Sequence, residues 1–205
     1  MKETEIIEAL QNKLNFNNKA IKKLIVFHDY LLRWNKKYNL ISKNTENQVW
    51  LRHILDSAQL VRFINDFKSA SISDLGSGAG FPGIVLAIFY EDNPFHVKLV
   101  EKSPIKRIFL EKIISKLALN VQIIENAYSD KASADIIVCR AFKKLKEIIK
   151  ISREIYEKPH KIIILKGKDA QAEINTLSLQ KNYSYSLESS MTDHKSKIII
   201  FQVKK

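Results

Sequence analysis

Cysteine is almost missing from this 205-residue chain: Cys139 stands alone. An intramolecular disulfide is therefore excluded, and a reducing compartment fits best. No apolar run approaches the roughly 20 residues that a membrane span needs. The charged start, Met1-Lys-Glu-Thr-Glu5, offers no apolar stretch of a secretory leader. We therefore expect a cytoplasmic protein without membrane contact. Clustered His and Cys ligands are missing too, which argues against a structural metal. Nor is there a repeat, a low-complexity tract or a Pro/Gly/Ser-rich linker that would separate independent units.

Acidic side chains are also in short supply, 22 against 34 basic ones, for a net charge of +12. The imbalance is uneven along the chain. Residues 1–65 hold 11 basic and 6 acidic side chains, residues 66–100 hold 2 and 4, and residues 101–205 hold 21 and 12. A basic body around a mildly acidic middle suits a polyanionic partner such as RNA or DNA. Lysine outnumbers arginine 28 to 6, so compositional bias also contributes to that charge.

Glycine is scarce, and its placement carries the argument. Of five glycines, four lie within Asp74-Leu-Gly-Ser-Gly-Ala-Gly-Phe-Pro-Gly83. Before them Ala70–Leu75 reads as a strand, and after them Ile84–Tyr90 reads as a helix. Strand, glycine turn and helix N-terminus make a nucleotide-type cofactor site, because glycine permits close approach and free N–H groups favour polar ligands. Two registers compete. Gly78-x-Gly80-x-x-Gly83 matches the dinucleotide fingerprint and would suit an NAD-dependent enzyme. It leaves Asp74, Gly76 and Ser77 inside the strand and Pro82 inside the first helical turn. Asp74-x-Gly76-x-Gly78-x-Gly80 ends the strand at Asp74 and starts the helix near Pro82, where proline is tolerated. This second pattern resembles the first motif of class I methyltransferases that use S-adenosylmethionine.

From residue 4 to about 66 the periodicity is helical. Ile21, Leu24, Ile25, His28, Leu31 and Leu32 form one apolar face, and a second amphipathic stretch runs from Val49 to Phe63. We expect residues 1–66 to be a helical extension packed on a core domain, 67–205. In the core, strands are expected at 70–75, 96–101, 121–125, 135–139, 160–166 and 196–203, with a weaker one near 183–188. Helices are expected at 82–91, 104–118, 143–157 and 169–180. The alternation predicts an α/β fold with a mostly parallel, seven-stranded Rossmann-like sheet, covered on both faces and closed by an antiparallel pair.

Ligands of such sheets bind beyond the carboxyl ends of the strands. Glu101, ending the second strand, is placed to accept ribose hydroxyls or to cap the helix that starts near Pro104. Asn126, Ala127 and Tyr128 follow the third strand and could flank an adenine ring. Arg140 follows the fourth, where a guanidinium can hold a carboxylate or a phosphate by paired hydrogen bonds. The Asn/Asp-Pro-Pro-aromatic turn of exocyclic-amine methyltransferases is absent there. Cys139 lacks the neighbouring proline of a carbon-5 nucleophile and reads as a strand residue. Methylation at guanine N7 needs neither device and would run on alignment alone, without a general base.

The chain resembles the glucose-inhibited division protein B family, bacterial methyltransferases of guanine N7 in 16S rRNA. The resemblance rests on Tyr38-Asn-Leu-Ile-Ser42, Arg52-His-Ile-Leu-Asp-Ser57, the glycine turn, Lys106-Arg-Ile-Phe-Leu110, Arg140-Ala-Phe142 and Leu165-Lys-Gly167. It implies S-adenosylmethionine as cofactor and 16S rRNA or the 30S subunit as partner; a monomer is expected, although nothing in the sequence fixes the oligomeric state. It assigns cofactor contacts to Gly76, Phe81, Ala127, Tyr128 and Arg140, to which the turn itself adds Gly78, Gly80 and Glu101. The family commonly has an acidic residue at the place of Tyr128, so a backbone contact is expected there. Asn39, Arg52 and His53 are implied at the site mouth; Lys166, ending the fifth strand, could meet a phosphate or merely close the strand. Arg52 and Asp56 stand at i, i+4 and could instead form a surface pair. A silent, basic RNA-binding or ribosome-assembly protein is the remaining alternative.

Overall fold

The computed structural model describes residues 1–64, 70–129, 134–156, 158–177 and 183–204. Short β-branched runs pair into one seven-stranded sheet: β1 (Ala70–Leu75), β2 (Phe95–Val100), β3 (Val121–Ile124), β4 (Ile136–Arg140), β5 (His160–Lys166), β6 (Tyr183–Ser189) and β7 (Lys197–Val203). The strand order is β3-β2-β1-β4-β5-β7-β6. β7 runs antiparallel to both β5 and β6, and the other pairings are parallel. The order reverses between β1 and β4, and that reversal opens a ligand crevice at the carboxyl ends of these two strands.

Alternation along the strands splits the core in two. Ile136, Val138, Ile163, Leu165, Ile198 and Ile200 face one side, while Ile137, Cys139, Ile162, Ile164, Ile199 and Phe201 face the other. The period of 2 sends neighbouring side chains to opposite faces, so strands this uniformly apolar must be covered twice. Helices α1 (Glu3–Leu14), α2 (Asn18–Tyr38), α5 (Gly83–Phe89) and α6 (Pro104–Leu117) contribute buried residues to the first core; α7 (Leu145–Ile155) and α8 (Ala170–Asn175) cover the second. The N-terminal helices thus share a core with the sheet. The expected division after residue 66 lies outside the described residues, as do residues 178–180 of the last expected helix.

Two details of the helical part differ from expectation. The buried face of α2 is Ala20, Ile21, Leu24, Phe27, Leu31 and Asn35, whereas Ile25 is 39% exposed. The face is turned because Phe27 lodges between the rings of Phe81 and Phe109, with centroids 5.1 and 6.4 Å away. The stretch 49–63 is not one α-helix either. It follows a short α3 (Lys43–Glu46) with a π-helical turn, Trp50–Leu55, then α4 (Asp56–Ala58) and a tight 3-10 turn, Gln59–Phe63.

Gly83 opens α5 in a position with no room for a side chain. A Cβ there would stand 2.2 Å from Leu99 Cδ2 and 2.7 Å from Asp74 Oδ2. Gly83→Ala is expected to lower stability by about 1–3 kcal/mol through overpacking. Chemical denaturation that finds the variant as stable as the parent would refute this packing.

Candidate functional site

The chain leaves β1 and doubles back at once. Gly76 and Ser77 both donate their N–H groups to Val100 O, at 2.9 and 3.1 Å, and Gly80 and Phe81 donate theirs to Ser77 O. The strand thus ends one residue beyond Asp74, and the turn opens at Gly76, as the methyltransferase register requires. Gly76, Gly78 and Gly80 all have positive φ, +74°, +58° and +93°, a region that other residues rarely adopt.

The glycines differ in what lies over them. A Cβ on Gly76 would meet Phe142 Cδ2 at 2.3 Å, and one on Gly80 would meet Ile84 Cγ1 at 2.6 Å. Those two positions are closed by the protein's own side chains. Over Gly78 the nearest atom is Gly76 O at 3.9 Å, so the concave side of the turn is open there. A cofactor fits that cradle.

Glu101, one residue past β2, is buried and joins the turn to α6. Its Oε2 accepts from Gly78 N–H and its Oε1 from Ser103 N–H, both at 2.8 Å. It therefore does what capping predicts, and it also braces the glycine turn. Each carboxylate oxygen keeps a second lone pair, leaving capacity for two ribose hydroxyls. Ala127 is buried after β3. Tyr128 beside it is 52% exposed, with its hydroxyl donating to Glu154 at 2.9 Å. The tyrosine hydroxyl is thus turned to α7, in line with a backbone role.

Asp74 is fully buried at the base of the turn. Its Oδ2 accepts from Gly83 N–H at 2.9 Å, while Oδ1 has no hydrogen-bond partner among the described residues. Burial raises its pKa to about 7, against the opposing pull of the Gly83 hydrogen bond and Arg140. An acid whose folded pKa lies above its unfolded value holds its proton in the folded state. Its contribution is greatest below about pH 4 and is lost as pH rises to about 7. Asp74→Asn, which keeps an acceptor for Gly83, is expected to flatten that decline. Urea denaturation between pH 5 and 8 checks this, and equal slopes in variant and parent would contradict it.

Arg140, the last residue of β4, reaches across to the N-terminal segment. Its Nη1 donates to Arg52 O at 2.8 Å and its Nη2 to His53 Nδ1 at 2.7 Å, with the guanidinium 5.3 Å from the centre of the Phe81 ring. The π-helical turn makes this possible. Asp56 N–H bonds to His53 O, and the Arg52 carbonyl receives the arginine. Because an arginine only donates, His53 Nδ1 accepts and its Nε2 carries the proton that faces Thr45 Oγ1 at 2.9 Å. Burial, followed by Arg140 and Arg52, lowers the His53 pKa to about 3. The ring is neutral at any physiological pH and packs against Phe81 at 5.0 Å.

The alternative of an Arg52–Asp56 surface pair is not what the structure has. Arg52 turns to Asp193, at 3.4 Å. Asp56 Oδ1 instead accepts from Gln59 Nε2 at 2.9 Å and Thr192 Oγ1 at 2.7 Å. Gln59 Oε1 accepts from Met191 N–H at 2.7 Å. This network ties the loop between β6 and β7 to α4. Sequence reasoning missed it because the partners are more than 130 positions apart and no local pattern links them.

These groups line a cleft of about 370 Å³ at the carboxyl ends of β4 and β5. Thr45, Arg52, His53 and Asp56 of the N-terminal part line it together with Arg140, Leu165, Lys166 and Ser190. Lys166 is held by Glu173 at 2.7 Å and by Lys143 O at 3.3 Å. Asn39 is not among the lining residues. It ends α2 in the left-handed conformation, φ +47°, with its N–H on Asn35 O. Cys139 is fully buried, and burial pushes its thiol well above the ordinary value, so it serves as a strand residue and not as a nucleophile.

The GidB family profile, described as rRNA small subunit methyltransferase G, matches residues 3–199. The ribosomal RNA small subunit methyltransferase G of Rickettsia felis is 41% identical over 181 residues, covering 87% of this chain and 91% of the relative. That of Orientia tsutsugamushi is 34% identical over 200 residues, covering 97% and 98%. Among solved structures, a mutant of MtNAS in complex with S-adenosylmethionine shares the fold with a TM-score of 0.57 at 15% identity, covering 85% of this chain and 72% of that one.

Proposed function

The chain belongs to the GidB family, and from that premise we infer that it transfers a methyl group from S-adenosylmethionine to N7 of one guanine in 16S rRNA. The observation that carries the reading is the meeting of two half-sites across Arg140. Arg140 lines a cleft with neutral His53, Arg52 and Lys166, and it also acts on Asp74 at the base of the glycine turn and lies over Phe81 within that turn.

S-Adenosylmethionine, when bound, supplies an electrophilic methyl on a sulfonium. The residues placed to hold it are Gly76 and Gly78 by backbone, Glu101 at the ribose, and Ala127 and Tyr128 by backbone at the adenine. Phe81, buried beneath the Arg140 guanidinium, and Arg140, which would have to give up a bond to Arg52 O or His53 Nδ1 to take a carboxylate, complete the set we assign to the cofactor. Gly80 supports the turn from within the core. Guanine N7 attacks with its own lone pair and loses no proton, so no residue is needed as a base. The work left to the protein is alignment, which can supply roughly 7–11 kcal/mol when the reacting atoms are held near attack distance. Neutral His53 suits this role, because it adds no positive charge beside a ring that becomes cationic on methylation.

We place the enzyme in the cytoplasm, acting as a monomer. Its substrate is small-subunit rRNA, held by phosphate contacts from Arg52 and Lys166 at the mouth, with Asn39 nearby on the N-terminal segment. Such contacts release counterions, so affinity for rRNA should fall steeply with added salt, by roughly tenfold or more between 50 and 200 mM. A salt-independent affinity would contradict that mode of binding. The test of function is tritium transfer from labelled cofactor to 16S rRNA that lacks its natural N7 methylation, offered naked and as 30S particles. Label is expected in at least one form. Cofactor binding without transfer to either would overturn the reading.

A further inference from the structure

The methyl-acceptor cleft has to recognise guanine, and its own lining limits how. Guanine differs from adenine in offering donors, N1–H and the 2-amino group, where adenine presents a bare N1. A carboxylate is the side chain that answers two donors on one edge, since it only accepts. Among the described residues that line the cleft, Asp56 is the one carboxylate. The acids nearest the other charged groups are already engaged, Asp193 by Arg52 and Glu173 by Lys166.

The position of Asp56 is fixed from behind. Gln59 and Thr192 both hold Oδ1, which sets the plane of the carboxylate. Oδ2 stands 3.9 Å from Arg140 Nη1, too far for a hydrogen bond to it. Arg140 itself is committed to Arg52 O and His53 Nδ1. The side chain is 17% exposed, so it reaches the cleft without being open to bulk water. Oδ2, with two lone pairs left, is thus the oxygen presented to the cleft, able to accept from two adjacent donors.

We propose that Asp56 reads the target guanine, accepting hydrogen bonds from its N1–H and 2-amino group and excluding adenine. This assignment rests on the guanine-N7 reading above. Adenine would set its N1 lone pair against the carboxylate, and a site built to pair a donor strongly rejects a base that lacks it.

The test pairs a protein change with a base change. Small-subunit rRNA is prepared with inosine, which lacks the 2-amino group, in place of the methylated guanine. The parent enzyme is expected to use inosine about 10- to 100-fold less efficiently by kcat/KM, the worth of one hydrogen bond to a charged group. In Asp56→Ala the guanine-to-inosine ratio should fall close to one, whatever the overall loss. Asp56→Asn keeps its oxygen on the two donors Gln59 Nε2 and Thr192 Oγ1 and so turns its NH2 donor toward the base, and the ratio should fall there too. Cofactor affinity by calorimetry identifies variants that remain folded. A ratio unchanged from the parent in either folded variant, or a parent that does not distinguish the two bases, overturns the assignment while leaving the methyltransferase reading intact. Failure of the parent to methylate guanine at all overturns both.

Discussion

Gly78→Val is expected to leave the fold standing and to reduce affinity for S-adenosylmethionine at least about 100-fold. Gly78 is the glycine of the turn with open space above it: among the described residues beyond its chain neighbours, the atom nearest its would-be Cβ is Gly76 O, at 3.9 Å. Valine adds three carbons to the surface where a bound cofactor would rest. The φ of +58° costs a non-glycine residue roughly 1–2 kcal/mol, a loss that a domain with two continuous cores should absorb. Cofactor titration by calorimetry, with a thermal melt as control, separates the two effects. Unchanged affinity in a folded variant would move the cofactor away from this turn. The same substitution at Gly80 would be uninformative, because Ile84 and Leu110 already occupy that space.

Arg140→Ala should reduce methyl transfer by about 100-fold or more, and Arg140→Lys should recover only part of it. One guanidinium bonds both the Arg52 carbonyl and His53 Nδ1, lies over Phe81 and stands near Asp56. Removing it orphans a buried ring nitrogen and a carbonyl, and leaves Asp56 without its nearest cation. Truncating one partner of such an arrangement typically costs about 2–5 kcal/mol. A lysine offers one ammonium for two acceptors set in a fork, so it cannot restore both. The measurement is kcat/KM for rRNA beside the Kd of the cofactor. Activity within threefold of the parent would show that the junction between the half-sites is not organised by this residue.

Much of this was legible in the sequence, for identifiable reasons. The strands announced themselves because sheets buried on both faces need near-continuous Ile and Val runs, as in Lys161-Ile-Ile-Ile-Leu165 and Lys197-Ile-Ile-Ile-Phe201. The glycine turn, Glu101 and Arg140 stood out because a parallel sheet places such residues at predictable strand ends. What stayed hidden has a common cause in non-local packing. Periodicity suggested an α-helix over 49–63, but the π-helical turn at Trp50–Leu55 exists where Arg140 reaches in for the Arg52 carbonyl. Phe27 turned the face of α2 because two rings from elsewhere receive it. For Asp56 the sequence offered only the alternative of a surface pair with Arg52; its partners are Gln59, three residues on, and Thr192, from a loop at the far end of the chain. Asn39 looked like a site residue from its motif, yet its left-handed backbone mainly ends a helix.

The most direct test of the central claim is chemical mapping of the methylated product. Small-subunit rRNA labelled by the enzyme is treated with borohydride and aniline, which cut the chain at 7-methylguanine. A single new cleavage is expected, at one guanine, that depends on both cofactor and enzyme. Labelled rRNA that resists cleavage would contradict it, leaving a methyltransferase of this fold that acts on some other atom.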